Sequence, residues 1–291
     1  MIKRLLSVAC AVCISASVTL ADDSAKGMVW SLEGKHNTVY IAGSIHLLRK
    51  SDYPLPGNLE RAYQDAELLL MELDMDDLDQ MGMAASLMRM GRATDGETLA
   101  TLLGEERYRR ARELAAELNI DLSRLMAVEP WFAAMTIEQM IMMRNGFDAD
   151  MGVEMHFTAR AVADGKPITG LEDVESQLSM LDGLALEDQA AMLMLTLAEA
   201  EAFDSSLDAL VSNWRSGNAQ YLETQFVAPI AEHPEVYDAL LVNRNSNWIP
   251  AIEALLDDDD DTLIVVGAAH LVGEDSVIEM LRRRGLSPQR M

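Results

Sequence analysis

Short apolar runs near both ends of the chain indicate β-strands. Residues 28–32 and 38–42 flank a polar turn and predict a hairpin. Residues 68–71 and 262–266 are continuously apolar, which is typical of strands that are buried on both faces. The pattern therefore predicts one sheet whose strands come from the two ends of the chain.

The middle of the chain is predicted to be helical, because apolar residues recur there at spacings of three and four. The helices predicted from this spacing cover residues 78–90, 105–118, 130–144, 153–163, 174–181, 186–214, 219–227 and 236–242. One short strand is predicted at 167–170. We therefore expect an α/β (α+β) fold, in which a central sheet built from N- and C-terminal strands is covered by a large helical insertion at about 78–245.

Three further helices are predicted on either side of this insertion. One covers residues 58–66, with Asn58 as its N-cap, and the other two cover 248–256 and 274–284. Asn245 lies just before the second of these helices and is a candidate for its cap.

The first residues have the layout of a secretory signal. A basic head is followed by the apolar run 5–20 and by a small-residue cleavage site that ends at Ala21. We therefore predict a signal peptide at 1–21 and a single domain at 22–291, exported to the periplasm or secreted. The apolar run is shorter than the roughly 20 residues that a membrane span needs. No membrane span is expected in the mature protein, and an uncleaved anchor is the alternative.

Cysteine usage and net charge exclude several classes of function. Both cysteines, Cys10 and Cys13, lie in the predicted signal, so the mature chain can hold no disulfide, cysteine metal site or cysteine nucleophile. The chain has 48 acidic against 23 basic residues, a net charge of −25. Such a surface repels phosphate backbones, so nucleic acid is not an expected partner. The oligomeric state is left open.

Two Gly-x-x-His motifs follow predicted strands at opposite ends of the chain. They are Gly43-Ser44-Ile45-His46 and Gly267-Ala268-Ala269-His270. Glycine lets the backbone turn and approach a ligand closely, and ligands of α/β sheets bind at the carboxyl ends of strands. A lone histidine after a strand is more often structural. Here the Gly-x-x-His motif occurs twice, each time after a predicted strand, although the chain has only five histidines. This repetition favours a shared site.

Glu72 follows the apolar run 68–71 and offers a third group. Two histidines and one carboxylate form a set that binds Zn²⁺, Mn²⁺, Co²⁺ or Fe²⁺ and leaves positions open for water. We therefore predict that His46, Glu72 and His270 are metal ligands of a divalent transition metal. The alternative is that Glu72 is a solvated residue of the acidic stretch that follows it.

Three other polar residues have both a structural and a functional interpretation. Glu154 and His156 start a predicted helix but do not share a helical face. A carboxylate in the first turn, such as Glu154, also interacts favourably with the helix dipole. Arg244 near a site would stabilise an oxyanion or hold an anionic group. The sequence alone leaves these alternatives open, and it predicts a core position for Trp248.

The motifs resemble those of the TraB/GumN family, which also includes the Tiki proteases. The resemblance covers essentially the whole predicted mature chain. It rests on Ala42-Gly43-Ser44-Ile45-His46, Tyr53-Pro54-Leu55-Pro56, Met71-Glu72-Leu73-Asp74, Gly152-Val153-Glu154, Gly165-Lys166-Pro167, Gly170-Leu171-Glu172, Arg244-Asn245-x-x-Trp248 and Val265-Val266-Gly267-Ala268-Ala269-His270-Leu271. It implies a fold related to the haem-binding ChaN proteins and the erythromycin esterases.

The resemblance also implies roles for particular residues. His46, Glu72 and His270 match the positions of the shared site, and Glu72, Glu154 and Arg244 become the candidate catalytic residues. Glu154 stands where the family often has the shorter aspartate, which leaves its direct role open.

Three functions are compatible with these residues. The first is an exported, metal-dependent hydrolase of peptide or ester bonds, acting on a peptide or small molecule. The second is a metal-independent, esterase-like hydrolase in which a histidine activates water directly. The third is a non-catalytic periplasmic protein that binds a metal, haem or an envelope component.

Overall fold

The computed structural model describes residues 26–77, 79–94 and 96–291, without the side chains of Gln80 and Asp204. The predicted signal peptide at 1–21 therefore lies outside the described residues.

A sheet of six strands forms the centre of the described chain. The strands are β1 (Met28–Glu33), β2 (Thr38–Ser44), β3 (Leu68–Leu73), β4 (Ile168–Glu172), β5 (Thr262–Gly267) and β6 (Gln289–Arg290). Their order across the sheet is β4-β3-β5-β2-β1-β6. The hairpin β1–β2 and the edge pair β1–β6 are antiparallel, whereas β2, β5, β3 and β4 run parallel to one another.

The strand β5 explains the continuous apolar run near the C-terminus. It lies between β2 and β3, and all six of its residues are buried. A strand that is covered on both faces has no polar face to alternate with the apolar one. The prediction of one sheet assembled from both ends of the chain is therefore confirmed.

The helices lie mainly between β3 and β5, as predicted. They are α1 (Gly57–Asp65), α2 (Gln80–Met90), α3 (Leu99–Leu103), α4 (Glu105–Glu117), α5 (Pro130–Arg144), α6 (Val153–Asp164), α7 (Val174–Asp182), α8 (Leu186–Ser216), α9 (Ala219–Leu222), α10 (Ala228–Ala231), α11 (Pro234–Tyr237), α12 (Asn243–Leu255) and α13 (Val277–Arg283). None of the described helices is both long and apolar enough to cross a membrane.

Two predicted N-caps are wrong. Asn58 lies inside α1, which begins one residue earlier after Pro56, and its amide donates to the Lys26 carbonyl instead. Asn245 lies inside α12, because a π-helical segment, Asp238–Val242, continues directly into that helix. A helix without a free N-terminus has no orphan N–H groups for Asn245 to cap.

The helical insertion has a core of its own. Its helix α5 packs along α8, and apolar residues of α3, α4, α5 and α8 form a cluster beside the main core of the sheet. Because β4 lies within the insertion and pairs with β3, the insertion also extends the sheet. This pairing brings the end of β4 next to the end of β3, where a functional site is predicted.

Candidate functional site

The two Gly-x-x-His motifs lie side by side because β2 and β5 are paired in parallel. Ser44 is opposite Gly267, and Gly43 is opposite Val266. A Cβ atom on Gly43 would lie 3.0 Å from the Cα of Ala268, closer than side chains normally approach a backbone. Glycine is therefore needed for the first motif to pack against the second.

The start of α6 packs against the first motif and supplies Glu154. The Val153 amide donates to the Ile45 carbonyl over 3.2 Å, and a Cβ on Gly152 would overlap the His46 carbonyl. This close approach points the buried Glu154 side chain at the first motif. Its Oε1 lies 2.8 Å from Nδ1 of His46 and also accepts a hydrogen bond from the Ser44 hydroxyl.

His46 and Glu154 form an ion pair. The Glu154 carboxylate raises the pKa of His46 to about 10. Burial opposes ionisation of Glu154, but the neighbouring His46 outweighs it and lowers the pKa of that carboxyl. The Oε2 atom of Glu154 is buried and has no hydrogen-bond partner among the described residues. Because the pKa of His46 lies above neutral pH, its imidazole is protonated on both nitrogens, including Nε2, which faces away from Glu154.

Glu72 lies at the end of β3 and is fixed through both carboxylate oxygens. Its Oε1 accepts a hydrogen bond of 2.7 Å from the Gly267 amide, and its Oε2 forms an ion pair with Arg244. Burial alone would raise the pKa of Glu72, but nearby positive charge and the Gly267 amide lower it to about 2. Glu72 is therefore ionised at every physiological pH.

Glu172, at the end of β4, holds Arg244 in place. Arg244 donates from Nε to Glu172 Oε2 over 3.0 Å, and the Trp248 indole donates to Oε1 over 2.8 Å. The guanidinium of Arg244 is thus held between the two carboxylates, Glu72 and Glu172. Sequence reasoning assigned Glu172 no role, although it is the last residue of β4, which pairs with the strand that carries Glu72.

His270 is buried and neutral, and α12 orients it. Its Nδ1 lies 2.6 Å from Asn245 Oδ1, and its Nε2 lies 3.2 Å from Arg244 Nη1. Burial lowers the pKa of His270 to about 3. With an acceptor at Nδ1 and a donor at Nε2, the imidazole carries its proton on Nδ1. Asn245 therefore orients His270 rather than capping a helix.

The predicted metal ligands converge beside Gly267. The position of a Cβ on Gly267 would lie 3.3 Å from Glu72 Oε1, 3.3 Å from His46 Nε2 and 3.5 Å from His270 Cδ2. The structure thus brings His46, Glu72 and His270 to one small space, which glycine leaves open.

The arrangement of these three side chains does not fit a metal ion. Glu72 is engaged by Gly267 and Arg244, and the Nε2 lone pair of His270 accepts from Arg244. The positive guanidinium occupies the direction from which His270 would bind a cation. Among residues 26–77, 79–94 and 96–291, no three His, Asp or Glu side chains are grouped so that they could hold a metal ion.

His156 lies outside this cluster. Its Nε2 is 3.3 Å from Oε1 of Glu60, and its ring packs against Tyr53 with centroids 5.4 Å apart. Glu154, two residues earlier, faces the first motif instead. The prediction that the two side chains lie on different faces of the helix is confirmed, and His156 belongs to the packing between α1 and α6.

A cavity of about 620 Å³ opens in front of both motifs. Its floor includes Ser44, His46, Gly267 and His270. Its walls are mostly apolar and come from the helical insertion, among them Leu87, Phe132, Met142, Phe203, Leu210 and Leu222. The site can therefore admit an apolar molecule of substantial size. Neither Arg244 nor Glu72 lines this cavity, although Glu72 reaches the open face of Gly267 on its floor, and Arg244 holds Glu72 and His270 in place.

Comparison with known proteins identifies the family of the chain. A sequence model of the TraB/PrgY/gumN family matches residues 28–290. The chain belongs to this family. The resemblance drawn from the motifs is thereby confirmed, and membership of the family extends over the sheet, the insertion and the two histidine motifs. No solved structure matches the chain significantly.

Several relatives cover most of the chain. It is 27% identical to the uncharacterized protein YbaP of Escherichia coli over 245 residues, which are 84% of this chain and 87% of YbaP. It is 22% identical to an uncharacterized protein of Treponema pallidum, over 89% of this chain and 81% of that protein. It is also 21% identical to Metalloprotease TIKI2 of Xenopus tropicalis, over 91% of this chain and 60% of that protein.

Proposed function

We propose that this protein is an exported hydrolase of peptide or ester bonds, with its reaction centre in the space beside Gly267. One observation carries the proposal. His46, which Glu154 orients, and the ionised Glu72 lie on either side of the open face of Gly267, each 3.3 Å from the position that a Cβ atom there would take. A water molecule held in front of Gly267, between these two side chains, would contact a proton donor and a proton acceptor, the arrangement that hydrolysis requires.

The two groups have complementary roles in this reaction. Glu72 accepts a proton from water as the water oxygen adds to the carbonyl carbon of the substrate. His46 then donates its Nε2 proton to the leaving nitrogen or oxygen as the bond to the carbonyl carbon breaks. Environments that push the pKa values of neighbouring groups apart are typical of such acid–base pairs. Arg244 keeps Glu72 ionised and in position.

A metal-dependent hydrolase is the second candidate, and the names of two relatives favour it. TIKI2 of Xenopus tropicalis and TIKI2 of Danio rerio are both named metalloproteases. A divalent ion such as Mn²⁺, Co²⁺, Zn²⁺ or Fe²⁺ would polarise the carbonyl and lower the pKa of a bound water. Arg244 engages the atoms of Glu72 and His270 that would bind such an ion, so this arrangement of side chains does not favour the metal-dependent candidate.

Hydrolysis of fluorogenic peptides and p-nitrophenyl esters tests the function. His46→Ala removes the proton donor, and Glu154→Gln removes the carboxylate that orients it and keeps it protonated, so each should lower kcat/KM by at least about a hundredfold. His36→Ala is the matched control, because His36 is an exposed residue of the β1–β2 turn. Absence of turnover by the wild-type protein on either substrate class, with and without added metal, would refute the proposal.

Chelation separates the two candidates. The same assays after dialysis against EDTA, and after addition of Mn²⁺, Co²⁺ or Zn²⁺, are compared with the metal content of the natively purified protein. Activity that survives chelation supports the acid–base mechanism of His46 and Glu72. Activity that is lost and then restored by one metal supports the metal-dependent candidate.

Export is part of the proposal and rests on the layout of residues 1–21. Mass spectrometry of the protein from the fractionated host should find a chain that begins at Asp22 outside the cytoplasm. A full-length chain in the cytoplasm would contradict it.

A further inference from the structure

A second cavity, of about 340 Å³, adjoins the one at the histidine motifs. Both cavities are lined by Glu138 of α5 and by Phe203 and Phe226. Glu138 therefore lies at the junction of the two spaces, on the helical side that faces the sheet. It is not part of any motif of the family resemblance.

The exposed carboxylate of Glu138 faces two largely apolar cavities and has no protein partner among the described residues. It makes no hydrogen bond or ion pair with another residue that the structure describes. Met135 and Met142, on the same face of α5, line the first cavity beside it. Glu187 of the same insertion, by contrast, is paired with Arg107. Because the side chain is exposed to the cavities, a ligand that enters them can reach its carboxylate.

The surroundings of Glu138 favour a positively charged partner. Burial raises the pKa of its carboxyl, and only His46, across the cavity, opposes this shift. The second cavity is also lined by Glu199, and the chain as a whole has a net charge of −25. A cation that entered the junction would meet negative charge and, around it, apolar walls that fit a hydrocarbon chain.

We propose that Glu138 binds the ammonium group of an otherwise apolar substrate, which makes the junction a specificity subsite for primary amines. The inference rests on the proposed function: the bond that is broken lies beside Gly267, and the amine lies at Glu138. A peptide with apolar side chains and a free α-amino group or a lysine fits this description, as does an amino-acid ester. Glu138 determines specificity and takes no part in bond cleavage.

Binding is measured first, because it needs no turnover. Calorimetry compares octylammonium with octanol, which has the same apolar chain and no charge. Wild-type protein should bind octylammonium about tenfold more tightly, since a charge-assisted bond is worth about that factor. Glu138→Gln should abolish the preference. Glu201→Gln removes an exposed carboxylate of α8 outside both cavities and should preserve it. An equal preference in Glu138→Gln, or no preference in the wild type, overturns the proposal.

Kinetics then separate the inference from the proposed function. Matched peptides with a free or an acetylated amino group are compared in the wild type and in Glu138→Gln. The wild type should favour the free amine through KM, and the variant should treat both peptides alike with kcat retained. Hydrolysis without any such preference refutes the subsite alone. Amine binding that depends on Glu138 without any hydrolysis refutes the proposed function alone.

Discussion

Ser44 of β2 and Gly267 of β5 lie directly opposite each other in a parallel strand pair. This single register brings together two motifs that are more than 200 residues apart in the chain. Ser44 binds Glu154, and the Gly267 amide binds Glu72, so the pair also connects the two carboxylates of the site. A shift of one residue between β2 and β5 would turn the side chains to the other face and separate these groups.

Gly267→Ala should abolish hydrolysis with little effect on stability. The backbone of Gly267, at φ −52° and ψ 135°, is accessible to alanine, so the fold is not strained. The new methyl group would occupy the space between Glu72 Oε1 and His46 Nε2, at 3.3 Å from each. We expect a loss in kcat/KM of about a hundredfold or more, measured by steady-state kinetics.

The control for this variant is Ala269→Gly, which removes a methyl group from the floor of the same cavity. It should retain activity within a few-fold. A fully active Gly267→Ala protein would show that the reaction centre lies elsewhere.

Arg244→Ala should destabilise the fold strongly. The guanidinium is buried between Glu72 and Glu172, and its removal leaves two buried carboxylates without their cation. Breaking a buried ion pair in this way typically costs about 3–5 kcal/mol. Urea unfolding followed by circular dichroism gives the free energy of unfolding. Arg109→Ala, which breaks an exposed pair with Glu113, should cost less than about 1 kcal/mol. Equal losses in the two variants would contradict this account.

Trp214→Phe should cost more than Trp131→Phe. Both indoles are fully buried, but Trp214 donates a hydrogen bond of 2.7 Å to the carbonyl of Gly43, whereas the Trp131 nitrogen has no partner at hydrogen-bond geometry among the described residues. The first substitution leaves a buried carbonyl unsatisfied, which costs about 1–3 kcal/mol beyond the loss of packing. Urea denaturation of both variants measures the difference, and no difference would show that the bond between α8 and the first motif is not stabilising.

Glu60→Gln should change how stability depends on pH. Burial opposes ionisation of Glu60, but hydrogen bonds and charge from His156 and Arg160 outweigh it and hold its pKa below the ordinary value of 4.5. A carboxyl with a lowered pKa stabilises the fold above about pH 4.5, and this contribution is lost as the pH falls through the folded-state pKa.

The wild type should therefore be more stable than Glu60→Gln at pH 7, and the gap in the free energy of unfolding should narrow below pH 4.5. Thermal unfolding at a series of pH values measures it. The exposed Glu117→Gln serves as a control that changes charge alone. A gap that stays constant between pH 7 and pH 3 would contradict the assignment.

The strands could be predicted where burial leaves a clear pattern. Continuous burial of β5 and β3 gives uninterrupted apolar runs, and the polar turn between β1 and β2 marks the hairpin. The edge strand β6 was missed because its two exposed residues carry no such pattern. The helix predicted at 236–242 is interrupted by a π-helical segment, since both conformations produce nearly the same spacing of apolar residues.

The site was predictable only where its residues are tied to motifs. His46 and His270 follow strands, and Glu72 lies near the end of β3 directly after an apolar run, so all three placements are visible in the chain. The role of Glu172 was missed because its partner, Arg244, is distant in sequence. The role of Asn245 was missed because a polar residue near a helix start resembles a cap, and its partner, His270, is also distant. The engagement of Glu72 and His270 by Arg244 depends on side-chain directions, which spacing does not reveal.

The central position of β5 in the sheet delays completion of the sheet until late in synthesis. During synthesis, β2 and β3 emerge first, but they have no hydrogen-bond partner in common until residues 262–267 are made. The sheet therefore closes only after nearly the whole chain exists, and folding is limited by contacts of long sequence separation. An incomplete chain lacks His270 and the strand that aligns Glu72 with His46. If the proposed function is correct, nascent and truncated chains are therefore expected to be inactive.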